Sequence, residues 1–181
     1  MADIYNGRYT ADIEGDFVVF NIGMRINRLR AVRKWMPVSR AMGPMMEALY
    51  RRPDLGFLGG QSFVYWRGVA LVQYWRSFEH LERFARDPQL THLSAWKAFN
   101  KAVAGDGSVG IWHETYLVHA GEYESVYGNM PRFGLAAAAD HLPAVGVRAT
   151  ARLRLRQQGA PNPVANINSL DPESYPVGAT S

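Results

Sequence analysis

The chain has 181 residues, of which 48% are hydrophobic and 12% aromatic, enough apolar mass for a single globular domain with a real core and some tail. It contains no cysteine, which excludes a disulfide framework, a thiolate nucleophile, cysteine-ligated zinc and iron–sulfur clusters. A net charge of +4 is modest and no stretch approaches the ~18 apolar residues of a membrane span, so the chain is expected to be soluble and cytoplasmic, with neither nucleic acid nor a membrane as partner.

Residues 1–15 read as an N-terminal arm, 16–157 as the folded domain and 158–181 as a polar, proline-bearing tail that does not pack on its own. After the turn-like Glu14-Gly15-Asp16, the run FVVFNIGM from Phe17 to Met24 is rich in β-branched and aromatic residues and predicts the first strand. Asn27 is placed to cap a helix carrying Leu29, Val32, Trp35 and Met36. Pro37 suits the first turn of a second helix, with Met42, Met45, Met46 and Leu49, which Pro53 ends. Leu55 to Trp66 and Val69 to Arg76 predict a hairpin turning at Arg67-Gly68, with Gly59-Gly60 marking a bulge. Ser77 caps a helix with Phe78, Leu81, Phe84 and Ala85 on one face, and a further helix is predicted from about Gln89 to Val103. Val109 to Val118 is the fourth strand. LAAAAD after Gly134 reads as a short helix or loop, and the alternating arginines and leucines of RATARLRLR, Arg148 to Arg156, as a late strand.

The resulting order, β-α-β-β-α-β, is the ferredoxin-like split βαβ arrangement, an α+β fold. Both faces of its strands are apolar: Phe17, Val19 and Asn21 alternate against Val18, Phe20 and Ile22, and Leu71, Gln73 and Trp75 against Val72 and Tyr74. Strands that are apolar on both sides are buried on both sides, which asks for a second sheet, most simply from a second copy of the chain.

The strand GIWHETYLVH sets His113 among apolar neighbours, on the face opposite Trp112 and Glu114. His113 and His119 stand ~20 Å apart along an extended strand, and the other histidines show no ligand spacing, so no metal site is expected. Asn21, Gln73 and Thr115 are polar residues inside strands where a purely structural core favours valine or leucine, which suggests a lined pocket. An ordinary hydrogen-bonded core imidazole is the simpler reading of His113, and a helix-side or edge position paired with an arginine the simpler reading of Glu114.

NIGMRIN at Asn21 to Asn27, GFLGG at Gly56 to Gly60, VQYWRSFEHLERFARDP at Val72 to Pro88, HLSAWKAFN at His92 to Asn100, and VGIWHETY with the later YGNMPRFGL resemble a monooxygenase-like family of bacteria and fungi related to an enzyme of fumagillin biosynthesis. The resemblance covers roughly Phe17 to Leu135 and implies a branch of the dimeric α+β barrel superfamily, hence a homodimer. It implies an oxidoreductase of secondary metabolism acting on a small hydrophobic or aromatic substrate without a cofactor. Strand parity offers His113, Asn21 and Arg76 as catalytic candidates and Gln73, Trp75 and Thr115 as substrate-binding ones, to which Trp96 and Trp112 add an aromatic wall. Two alternatives stay open. The WHE segment is similar to the haem-ligating region of aldoxime dehydratases, which would make His113 the axial ligand of haem b, although Met130 and Arg132 stand where a distal histidine would be sought. The other is a non-catalytic barrel that holds a hydrophobic ligand.

Overall fold

The computed structural model describes residues 2–87 and 106–155. Strands β2 (Phe17–Ile26), β3 (Phe57–Tyr65), β4 (Gly68–Trp75) and β5 (Val109–Val118) form one antiparallel sheet in the order β3-β4-β2-β5, with helices α1 (Val32–Tyr50) and α2 (Phe78–Arg86) between the strands of the split βαβ units. This is the ferredoxin-like α+β topology read from the residue pattern. The hairpin β3–β4 turns at Trp66-Arg67, with Arg67 in the left-handed region, and the register slips between Phe57 and Gly59 where the paired glycines suggest a bulge. Gly59 has φ +154, and a side chain there would press on Ala138. Ser77 caps α2 as expected, its Oγ accepting from the His80 backbone N–H at 3.4 Å.

One face of the sheet packs on the helices. Val18, Leu71, Trp75 and Phe57 meet Met46 and Leu49 of α1 and Leu81 and Phe84 of α2 in the main core. The two short helices expected around Pro37 are instead one nineteen-residue helix, with Pro37 and Pro44 inside it. Its methionine face buries well enough to outweigh the backbone hydrogen bonds those prolines cannot make. Asn27 does not cap it: its Oδ1 accepts from the Arg25 guanidinium at 2.7 Å and its Nδ2 donates to the Gly107 carbonyl at 3.0 Å.

The opposite, inner face carries the larger departure. The segment 1–15, read as an N-terminal arm, contains β1 (Tyr5–Asp12), which pairs with β6 (Tyr127–Met130) and β7 (Asp140–Pro143) in a second, three-stranded sheet, β6-β1-β7. With α3 (Leu135–Ala138), this sheet places Ala11, Ile13, Leu135 and Ala136 against Phe17, Val19, Tyr74 and Val118. Part of the cover expected from a second copy is therefore supplied by the chain itself.

The arginine–leucine segment is not a strand. Gly146–Arg148 is a 3-10 turn and Ala151–Leu155 a short helix, α4, whose first turn is held by Thr150 accepting from the Leu153 N–H at 3.3 Å. Arg154, 8% exposed, turns inward to bond the Glu124 carboxylate and the Arg148 carbonyl, and a helical turn delivers it there while leaving Arg152 in water. Beside it lies a cavity of about 20 Å³ lined by Thr10, Asp12, Glu124 and Arg148, room for a single water. The helix expected over Gln89–Val103, with Trp96, and the tail 158–181 lie outside the described residues.

Candidate functional site

Cross-strand register sorts the candidate residues onto the two faces of the main sheet. Ile22 lies opposite His113 and Phe20 lies between Gln73 and Thr115, so all of these share the helix-side face with Val18 and Trp75. Gln73 and Trp75 are 1% and 0% exposed and satisfy each other: the Trp75 indole N–H donates to Gln73 Oε1 at 3.0 Å, and Gln73 Nε2 donates to Met46 Sδ at 3.7 Å. They are core residues with no surface to offer a substrate. His113 and Thr115 sit on the edge strand and are exposed, the imidazole tilted against Phe20 with ring centroids 5.8 Å apart. Arg76 follows β4 into solvent and donates to the Glu14 carbonyl at 3.1 Å. The predicted convergence of these groups on one pocket does not occur. Parity put them on one side of their strands correctly, but it is the side that α1 and α2 pack against.

Asn21 and Trp112 lie on the other, inner face, and the register brings them together with residues that parity alone could not connect. One row runs Gln61–Val72–Asn21–Glu114 across the four strands. It is bordered by Phe63–Ala70–Gly23–Trp112 on one side and by Gly59–Tyr74–Val19–Tyr116 on the other. With strands ~4.8 Å apart, the Asn21 and Gln61 backbones are about 10 Å from each other. Both amide oxygens, Asn21 Oδ1 and Gln61 Oε1, are buried and have no hydrogen-bond partner. A buried acceptor left unpaired costs about 1–3 kcal/mol, so two on one face call for a donor from outside the described residues, an ordered water, a second copy or a ligand.

The walls are aromatic. The Trp112 indole crosses over Gly23, where a Cβ would stand 2.7 Å from the ring, and its N–H donates to the Tyr65 hydroxyl at 3.0 Å, which in turn donates to the Met24 carbonyl at 2.7 Å. Gly23→Ala is therefore expected to lift the indole and break the bond to Tyr65. Tryptophan fluorescence and ligand affinity should both change while the far-ultraviolet spectrum stays native. On the other side, burial and then the neighbouring Tyr127 push the Tyr74 hydroxyl up to about 12, so it is a neutral donor at any working pH. Phe63 meets Phe133 edge-on at 6.0 Å. Glu114 stands at the exposed end of the row, its Oε2 accepting from the Tyr116 hydroxyl at 2.8 Å.

No cluster of three or more His, Asp or Glu side chains able to hold a metal occurs among the described residues. Nor do those residues fit haem at His113. A haem slot needs two apolar walls closing on an iron-facing imidazole, whereas His113 is exposed and, among the described residues, has Phe20 as its ring neighbour.

The family described as Monooxygenase af470-like matches residues 17–135, which hold the whole four-stranded sheet and both long helices. The chain belongs to the Monooxygenase af470-like family. Monooxygenase af470 of Aspergillus fumigatus is 32% identical over 152 residues, an alignment covering 71% of this chain and 53% of that protein, so the chain spans about half the length of this relative. Among solved structures, a conserved protein of unknown function from Bacteroides thetaiotaomicron, described as a possible oxidoreductase, is 10% identical with a TM-score of 0.42 over 56% of this chain and 97% of its own. A dimeric ferredoxin-like protein from an uncultured marine organism is 14% identical with a TM-score of 0.39 over 58% of this chain and 96% of its own.

The family match includes the row of Asn21, Gln61 and Glu114 together with Trp112, but stops short of β1 and β7. The small sheet thus adds residues beyond the matched segment, and His141 on β7 is the one the residue pattern did not single out. It is 9% exposed and stacks on Tyr9 at 4.5 Å, with Tyr5 edge-on at 4.7 Å and Tyr127 at 6.2 Å, and neither ring nitrogen has a partner. Burial first, and then the charge of Arg132, lower its pKa. The unfolded chain therefore takes up a proton at this position before the native state does, so stability is full above the ordinary histidine value of ~6.5 and falls as the pH drops below it. His141→Phe is expected to flatten that acid-side decline, read as Tm against pH from 7.5 to 5.

Proposed function

We propose that the chain is a monooxygenase-like oxidoreductase whose substrate is a small, flat, hydroxylated hydrophobic molecule lying on the inner face of the four-stranded sheet. The observation that carries this reading is the pair of buried, unpartnered amide oxygens of Asn21 and Gln61, in the strand row next to the one that holds Gly23 and Trp112. Two acceptors spaced along a face with aromatic walls suit hydroxyl groups on a ring system. They suit a substrate that is neutral when it binds.

Glu114, next to Asn21 in the row, is the carboxylate in position to take a proton from such a substrate. A substrate deprotonated at an activated CH₂ can give its electrons to dioxygen, and the balance R₂CH₂ + O₂ → R₂C=O + H₂O closes with the substrate as sole reductant. No further cofactor enters this reading. Asn21 and Gln61 hold the ring by its hydroxyls, and Trp112 and Tyr74 limit access of water. A second copy of the chain belongs to the same proposal: Phe63 and Tyr116, 37% and 50% exposed on this face, are what it would cover. We place the enzyme in the cytoplasm, and no helix among the described residues is long and apolar enough to cross a membrane.

An oxygen electrode tests the reading with anthrone-type and naphthol-type substrates. Uptake with one carbonyl formed per O₂, reduced about 100-fold or more in Glu114→Gln, is the expected result. Undiminished uptake in Glu114→Gln would remove the carboxylate from the mechanism. No uptake by the native protein with any hydroxylated ring system, alongside tight binding of one, would replace the enzyme with a carrier.

A further inference from the structure

Between Asp16 and Glu47 the chain carries six basic residues and no acidic one, and between Asp54 and Glu79 it carries Arg67 and Arg76 and again no acidic one. The fold gathers most of this charge at one end of the main sheet. The β3–β4 turn lies against the loop after β2: the Ile26 N–H donates to the Arg67 carbonyl at 2.6 Å, and the Arg67 guanidinium donates to the carbonyls of Ile26 and Asn27. The loop is pinned further where the Asn27 and Arg28 N–H groups share the Ser108 carbonyl at 3.0 and 3.1 Å, and where the Trp35 indole donates to the Leu29 carbonyl at 3.1 Å. The nearby carboxylate of Asp106 is already paired with Lys34. Arg25, Arg28, Arg30 and Arg33 are exposed around this platform.

The same end presents several apolar side chains to water. Val64 is 87% exposed, Trp66 83%, Leu29 55% and Val32 40%. A rigid tip bearing tryptophan and aliphatic groups, ringed by arginines, matches a surface that is negative at its boundary and apolar just beneath. Nucleic acid matches the charge but has no use for exposed Val64 and Leu29, which offer nothing to stack on a base.

We propose that this end of the molecule is a docking surface for an anionic lipid bilayer, with Trp66, Val64 and Leu29 entering the headgroup layer and Arg25, Arg28, Arg30 and Arg33 lying against lipid phosphates. The residue pattern gave no spanning segment and hence no membrane partner, but attachment at the surface needs no span. The proposal is independent of the reaction assigned to the inner face.

Co-sedimentation of the full chain with vesicles tests it. Binding is expected to vesicles containing one-third phosphatidylserine and not to pure phosphatidylcholine, and it should weaken as salt rises from 0.1 to 0.5 M. Each arginine is worth roughly fivefold in partitioning, so Arg28→Gln/Arg30→Gln/Arg33→Gln should bind about 100-fold more weakly. Trp66→Ala should lose several-fold with its Tm unchanged, and Trp66→Phe should lack the blue shift in emission that vesicles cause in the native protein. The proposal is overturned by no binding to anionic vesicles, by equal binding of the triple variant, or by binding indifferent to Trp66→Ala. Tighter binding to a 20-mer of single-stranded DNA or RNA than to the vesicles would overturn it in favour of nucleic acid.

Discussion

Asn21→Leu is expected to make the protein more stable and to abolish its oxygen uptake. Asn21 Oδ1 is buried without a donor from the fold, and a leucine of similar volume removes that unmet acceptor and gains apolar contact with Val19 and Val72. Relief of a single orphaned group is worth about 1–3 kcal/mol, and at this chain length each kcal/mol moves Tm by about 2–4 °C. Gln61→Met should add a smaller increment of the same sign, and the two should be nearly additive because a strand separates them. Catalysis moves the other way. If Asn21 accepts from the hydroxyl that fixes the ring beside Glu114, losing it misplaces the reacting carbon and lowers kcat/KM about 100-fold. A rise in Tm together with loss of turnover is the signature of a residue held for a ligand rather than for the fold. A fall in Tm of several degrees, with turnover intact, would assign Asn21 to packing.

How far this site could be read from residues alone depends on symmetry. The strands FVVFNIGM and VGIWHETYLV were legible because apolar β-branched and aromatic residues run unbroken between turns, and the Ser77 cap and the Gly59 bulge were legible because each has a local cause. Which face meets the helices was not. Val18, Phe20 and Ile22 are no more apolar than Phe17 and Val19, so parity divides the strand without saying which half faces inward. That choice is made by Met46 and Leu49 of α1 and by Leu81 and Phe84 of α2, which lie far along the chain. His113 and Asn21 could therefore be taken for neighbours although they stand on opposite faces. Gln61 and Glu114 join Asn21 only through the register of three strand pairs, which depends on the whole sheet. The four-residue strands β6 and β7 are too short to show a period, and they exist because β1 pairs with both. In RATARLRLR the alternation was real but misleading, since one buried arginine bonded to Glu124 selects a helical turn over an extended one.

Trp75→Ala is expected to be the most damaging single change to the fold. The indole is fully buried, meeting Phe57 at 5.4 Å and Phe84 at 5.1 Å, and thereby joins β3, β4 and α2. Truncation opens a cavity that these rings cannot collapse into and costs about 3–5 kcal/mol, a loss of roughly 6–20 °C in Tm. It also strands Gln73 Oε1, the acceptor of the indole N–H. Gln73→Leu probes the polar half of the same contact. It leaves the indole N–H without a partner in an apolar core and should cost about 1–3 kcal/mol, although it exchanges a polar side chain for an apolar one. The matching change at Asn21 has the opposite expected sign, and the reason is local. Gln73 has its partners within the fold, whereas the Asn21 oxygen has none, so urea midpoints for Gln73→Leu and Asn21→Leu should move in opposite directions. If both moved down, the inner-face amide would have a structural partner after all, and the case for a bound hydroxyl would lose its support.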